Sequence, residues 1–311
     1  MDGATPVYNL RRLQLLRELK HRGTLAAVAA AMSYSPSSVS QQLTLLESEV
    51  GAPLLEREGR GVRLTPQAEI LVAHTEAVVR RLDLAGAEIA ASLRGLSGTL
   101  RVAAFQTAAL VLVPVALGTL RTTHPGVRVE VVQAEPDRAL PALLVRDVEL
   151  VIDETFPGHP RAARAAEFEN HVLCEDPMRL AADSAGESLR SLADRPWIME
   201  PLGTPARDWA MRVCREAGFE PDVVFQSPDM LVHARMAEAG HAVAFLPDLV
   251  WCDRAPSVPL RHLTPTHRRT ITVTTRTGWG GHPLAAAFLR ALHHAVEHTG
   301  AEVRRHLPAT P

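Results

Sequence analysis

His293, His294, Glu297 and His298 form the densest run of metal-binding side-chain types in the sequence, and His294 and His298 stand one helical turn apart. A zinc ion needs at least three protein ligands around it. No third ligand is placed here, so the expectation is a polar helix surface and no metal. Cys174, Cys214 and Cys252 lie far apart and form no CxxC pair. That removes the zinc-knuckle and thioredoxin-type readings and leaves inert thiols as the expectation. The sequence has no GxGxxG after a strand, no GxxxxGK[ST], no GxSxG and no HExxH. No catalytic residue and no cofactor are therefore assigned.

Three helix starts share one grammar. Thr107 follows the strand-like TLRVAAF and opens an apolar helix. Thr204-Pro205 follows PWIMEPLG, and Ser227-Pro228 follows DVVFQ. A hydroxyl before a first-turn proline is an N-cap signal. Helix N-termini present unpaired N–H groups and the positive dipole end, which suits an anion. Gln106 and Gly203 adjoin two of these starts. Arg207, in a first turn, opposes the dipole and is free to serve a ligand anion. Asp153 and Glu154 end the strand VELVID and reach toward the same place. Carboxylates facing an anion repel it unless the ligand also carries positive charge or hydroxyl donors. An amino acid or a hydroxylated acid satisfies both walls, and a small carboxylate is the expected class.

These residues sit on alternating strands and helices from about residue 98 onward. Such alternation predicts parallel α/β sheets, in two lobes enclosing a ligand cleft at the strand carboxyl ends. The expected lobes are about 98–165 plus 270–311, and 166–269. The first 66 residues differ in texture. Leu10, Leu13, Leu16 and Leu19 have helical spacing and Gly23 stops them. Thr24 caps LAAVAAAM, and Ser35-Pro36 opens SSVSQQLTLLESEV, whose Val39, Leu43 and Leu46 share a face. Three helices with a very short turn between the last two read as a helix-turn-helix. EGRG follows, as the tip of a small hairpin bearing Arg57, Arg60 and Arg63.

A helix is then expected over residues 67–94, starting at Thr65-Pro66. Leu71, Val78, Ala85 and Ser92 recur every seven residues, and Thr75, Leu82, Ile89 and Leu96 recur with them, offset by four. This a/d pattern predicts a dimerisation seam, with Leu71, Val78, Leu82 and Ile89 as its large members.

The 311 residues suit two or three domains. Apolar residues are 46% and the net charge is −2, so the chain does not coat nucleic acid or membrane by bulk charge. Lys20 is the only lysine. The N-terminal stretch has no apolar run after a basic start. The longest apolar run, Ala108 to Leu117, is half a span and contains Pro114. A cytoplasmic protein without membrane association is expected, and sparse cysteine suits a reducing compartment.

TLAAVAAAMSYSPSSVSQQLTLLESEVGAPLLEREGRGVRLTPQA resembles the winged helix-turn-helix of LysR-type transcriptional regulators, without a gap from Thr24 to Ala68. GTLRVAAFQTAALVLVPVAL and GHAVAFLP resemble two segments of that family's effector domain. The resemblance implies a winged helix-turn-helix over 1–66, a linker helix over 67–94 and an effector domain of the type 2 periplasmic-binding-protein kind over 98–311. It also implies promoter binding at an interrupted palindrome, a small-molecule effector and a homodimer or homotetramer. RNA polymerase is a further candidate partner. Phe245 and Leu246, within GHAVAFLP, join the effector residues. Pro36 and Gln41 stand where the family often has glutamine and arginine, and Ser35 to Gly51 contains no Lys or Arg. Base contacts then fall to Ser35, Pro36, Ser37, Ser38, Ser40, Gln41, Gln42 and Thr44, with positive charge from the wing. Two competing readings stand beside this one. One is a cytoplasmic solute-binding or enzymatic α/β protein, and the other a constitutive DNA-binding protein with a vestigial cleft.

Overall fold

The structure is a computed structural model describing residues 8–59, 61–92, 95–159, 167–183, 188–263 and 267–307. Arg60 lies outside the described residues. Two compact units are present, residues 1–92 with 144–147, and residues 93–143 with 148–311.

In the first unit, α1 (Leu10–Arg22) is capped by Asn9, whose side chain accepts from the N–H groups of Arg11 and Arg12. Helix α2 (Leu25–Met32) is capped by Thr24 and α3 (Pro36–Val50) by Ser35, as their sequences predict. Gly51 ends α3 at φ 74°, a left-handed conformation that favours glycine. Leu16, Leu19, Val28, Val39, Leu43 and Leu46 close one core. Leu10, expected on the inner face of α1, is exposed, and Leu15 is buried instead. Strands β1 (Leu55–Glu58) and β2 (Gly61–Leu64) pair antiparallel as the wing. Glu47 fixes this hairpin to α3 by accepting from the N–H groups of Leu54 and Leu55. Thr65 caps α4 (Pro66–Ser92).

In the second unit, β3 (Gly98–Ala104) pairs parallel with β4 (Val127–Gln133) and β5 (Leu150–Thr155). Helix α5 (Gln106–Thr123) follows β3, and α6 (Pro136–Leu144) follows β4. Strand β7 (Pro196–Met199) pairs parallel with β8 (Asp222–Gln226), with α7 (Pro205–Glu216) between them and α8 (Met230–Glu238) after. The sheets are not parallel throughout. The long β6 (Phe168–Ala181) and β11 (Arg268–Arg276) run antiparallel to each other, and β11 runs antiparallel to β5. Strands β9 (Ala244–Pro247) and β10 (Leu260–His262) pair with the end of β6. Helix α9 (Pro283–His306) shares an apolar core with α5, so the chain returns to the β3–β5 lobe. A second core, around Trp197, Trp209 and Phe245, marks the other lobe. Among the described residues, no helix is long and apolar enough to cross a membrane.

Candidate functional sites

Helix α3 turns Val39, Leu43 and Leu46 inward, each fully buried. The helical period therefore turns Pro36, Ser37, Ser40, Gln41 and Thr44 outward, and all five are exposed. Ser35 is exposed too, while its hydroxyl is occupied by capping Ser38 and by contacts to the Ser37 and Ser38 hydroxyls. Gln42 is different. It is half-buried, and its side-chain carbonyl accepts from Arg12 Nε at 3.0 Å. Arg12 is anchored in turn by Glu49. Gln42 thus ties α3 to α1, and Gln41 is the glutamine whose amide faces solvent. On the wing, Arg63 is paired across the strands with Glu56 at 2.6 Å, so part of its charge is already neutralised. Arg57 is exposed and, paired with Val62, lies on the opposite face.

Along α4, Thr75 is buried against its own unit, with its hydroxyl donating to the Leu71 carbonyl. Leu71 is half-buried there as well. Val78, Leu82 and Ile89 are 47%, 50% and 62% exposed. The apolar repeat therefore serves two surfaces. Its first turns pack at home, and the later ones form an uncovered stripe.

The cleft of the second unit departs further from the expectation. Thr107 does not cap α5; Phe105 does, without a side-chain bond. Thr107 is buried in the first turn and its hydroxyl donates to the Gln106 side chain at 3.2 Å. Thr204 is the expected cap of α7, accepting from Arg207 N–H at 3.2 Å, next to Gly203 at φ 86°. Ser227 caps no helix. Asp229 takes that role for α8, because the chain makes one more turn after Pro228, and the Ser227 hydroxyl accepts from Asp229 N–H. Arg207 is buried and donates to the main-chain oxygen of Glu200 at 3.0 Å, so it serves the protein rather than an open anion site.

Strand alternation settles Asp153 and Leu246. Asp153 is buried and accepts from Thr274, on the opposite face of β5 from Glu154. Leu246 joins the α5–α9 core, whereas Phe245 turns toward Trp209 at a centroid distance of 5.2 Å. A cavity of about 30 Å³ is walled by Phe156, Trp209, Phe245 and Met199, and reaches Glu200, His233 and Arg269. At roughly 10–15 Å³ per water-sized sphere, it holds a water or two. In this conformation the cavity is too small for an organic ligand.

Three residues at this cleft escape the helix-start grammar. Glu135 follows β4 and Glu200 follows β7, each at a strand carboxyl end, where the rule that found Glu154 also applies. Arg269 is a buried arginine near the start of β11. It donates to Glu154 at 2.7 Å and, through Nε and Nη2, to Asp176 at 2.9 and 2.7 Å. Its plane lies over the Phe105 ring at 5.1 Å. Burial foremost, then repulsion from Glu154, pushes the Glu135 carboxyl up to about 7. Burial and repulsion from Glu154 and Glu135 push Glu200 up to about 8. His233 donates to the Ser227 carbonyl, and its burial lowers its pKa.

Two family descriptions match the chain: the bacterial regulatory helix-turn-helix of the lysR family over residues 10–69, and the LysR substrate binding domain over residues 93–297. The chain belongs to the LysR family, whose members are transcription regulators with a DNA-binding helix-turn-helix and an effector-modulated domain. It is 28% identical over 284 residues to the transcriptional dual regulator OxyR of Escherichia coli, covering 87% of this chain and 90% of that protein. It is 24% identical over 268 residues to the dual regulator GltC of Bacillus subtilis, covering 84% and 89%. A full-length OxyR variant of Pseudomonas aeruginosa superposes with a TM-score of 0.68 at 20% identity, covering 98% of this chain and 99% of that one. Full-length CbnR, solved with its target DNA, gives 0.52 at 22% identity over 92% and 99%.

Proposed function

We propose that this chain acts as a homodimer or homotetramer at an interrupted palindrome near a promoter. In this reading, α3 enters the major groove and the wing arginines meet the flanking phosphates. The observation that carries it is the exposed row of Ser37, Ser40, Gln41 and Thr44 on a helix whose opposite face is core. Such short polar side chains suit base edges, and Arg57, with Arg60 beyond the described residues, suits phosphate. The two-fold operator that a helix-turn-helix dimer reads fits the uncovered stripe of Val78, Leu82 and Ile89. We assign residues 1–66 to DNA binding, 67–94 to pairing and 98–311 to effector binding, with no catalytic role and a cytoplasmic location. Closure of the lobes on the effector then biases two arrangements of the oligomer by its difference in affinity for them.

A peroxide-sensing reading, which the name of the hydrogen peroxide-inducible relatives invites, is not favoured. Burial pushes the thiols of Cys174 and Cys214 up to about 12 and that of Cys252 up to about 11. Reactive cysteines need the opposite shift.

Footprinting of the full chain on its own upstream DNA tests the proposal. Two protected half-sites separated by a multiple of about 10 base pairs are expected. A single protected half-site, or none, would count against it.

A further inference from the structure

We propose that the cleft selects a cationic ligand, a primary amine or guanidine, whose charged end lies among Glu135, Glu154 and Glu200 and whose apolar stem enters the cavity of Phe156, Trp209 and Phe245. This rests on the reading of the cleft as the effector site.

Charge balance at the cleft carries the argument. Carboxylates arrive from three separate segments, after β4, at the end of β5 and after β7. Arg269 is already shared between Glu154 and Asp176. Arg207 is directed to a main-chain oxygen of Glu200. His233, held on the Ser227 carbonyl with a lowered pKa, adds no positive charge near neutral pH. Glu135 feels repulsion from Glu154 and Asp137 and attraction from Arg269, and Glu200 feels repulsion from Glu154 and Glu135 and attraction from Arg269. Among the described residues, neither is in an ion pair with a cation of its own.

The helix N-termini that would attract an anion are already served. The Gln106 main-chain N–H of α5 acts on the Glu135 carboxyl, and the Thr204 hydroxyl of α7 accepts from Arg207 N–H and donates to the Pro201 carbonyl. A ligand carboxylate would have to displace these groups and would meet further acids. An ammonium group meets three acceptors in a partly desolvated site, where the attraction is stronger than in water. The aromatic walls behind it favour a cation with an apolar stem. Without ligand, Glu135 and Glu200 hold protons in part of the population near neutral pH, as their raised pKa values require. A bound cation displaces those protons.

The test is calorimetry on the full-length protein with phenethylamine and agmatine, against 3-phenylpropionate and glutarate, in phosphate and in HEPES buffer. The amines should bind and the acids should not. Amine affinity should rise between about pH 6 and pH 8, by as much as roughly tenfold per unit for each proton displaced. The heats should differ between the buffers by the released protons. Glu135→Gln and Glu200→Gln should each weaken the amine at least tenfold and reduce the proton release. Binding of the acids but not the amines would overturn the cationic ligand and leave the effector cleft standing. Amine binding that ignores pH and both variants would overturn it too, as would no amine binding at millimolar concentration. Ala210→Trp, which fills the cavity, should abolish amine binding. Unchanged binding in that variant would remove the cleft reading itself, and the proposal with it.

Discussion

Arg269 and Glu154 meet at 2.7 Å between Nη1 and Oε2, from adjacent antiparallel strands whose register puts both side chains on one face. The same guanidinium holds Asp176, directly across on β6. One buried cation thus joins the edge of the cleft to the long strands shared by the lobes.

Removing that cation leaves two carboxylates without a cationic partner among the described residues, and Asp176, which then keeps only the Leu249 N–H, is buried. Arg269→Met should cost about 3–5 kcal/mol of unfolding free energy, since breaking a buried ion pair strands its partner charge. The triple variant Arg269→Met, Glu154→Met, Asp176→Leu should recover most of that loss. Urea unfolding measures both, and a single variant as stable as wild type would contradict the account of this triad.

The pH dependence of stability follows from the raised acids. Asp176 rises to about 6, Glu135 to about 7 and Glu200 to about 8, mainly through burial. Each binds its proton more tightly in the folded chain than in the unfolded one. The stability these three groups contribute is therefore greatest below the ordinary carboxylate range and falls as pH climbs through these raised values. Thermal melts should move to lower temperature between about pH 5 and pH 8, and Glu135→Gln with Glu200→Gln should flatten that slope. A melting temperature rising across the window in wild type would show the shifts to be misassigned.

Pairing through α4 depends on its uncovered stripe. Leu82→Asp with Ile89→Asp would place charges on a seam that cannot solvate them. Light scattering should report loss of the dimer, and affinity for a two-half site should fall with it. A double variant that stays dimeric would remove this helix from the interface.

The two neighbouring glutamines separate structural from reading roles. Gln41→Ala should lose about 1–3 kcal/mol of discrimination between the operator and its mismatched versions, the worth of one bidentate base contact. Gln42→Ala breaks the tie to Arg12 and should lower stability without changing which base is preferred. Competition binding against single-base substitutions checks both, and a shift in preference from Gln42→Ala alone would reverse the assignment.

The first unit was legible because its signals are local. Ser35-Pro36, Thr24 and Gly51 act within a turn of where they stand, and Val39, Leu43 and Leu46 repeat at the helical period. The cleft was legible in position but not in chemistry. Strand carboxyl ends located Glu154, yet the face taken by Asp153 depends on its pairing with β11, 121 residues away through Thr274. The hydroxyls of Thr107 and Ser227 looked like caps because a cap and an ordinary turn share the same residue types. The acidic balance of the cleft was hidden because Glu135, Glu154 and Glu200 are far apart in sequence. The antiparallel course of β6 and β11 was hidden too, since an apolar run carries no direction.

The most direct test is fluorescence anisotropy of the full-length protein on its own upstream DNA and on a scrambled duplex of equal composition, at one salt concentration. A sequence-specific regulator should bind its operator roughly 10³-fold or more tightly than the scrambled duplex. Equal affinity for the two would contradict the account.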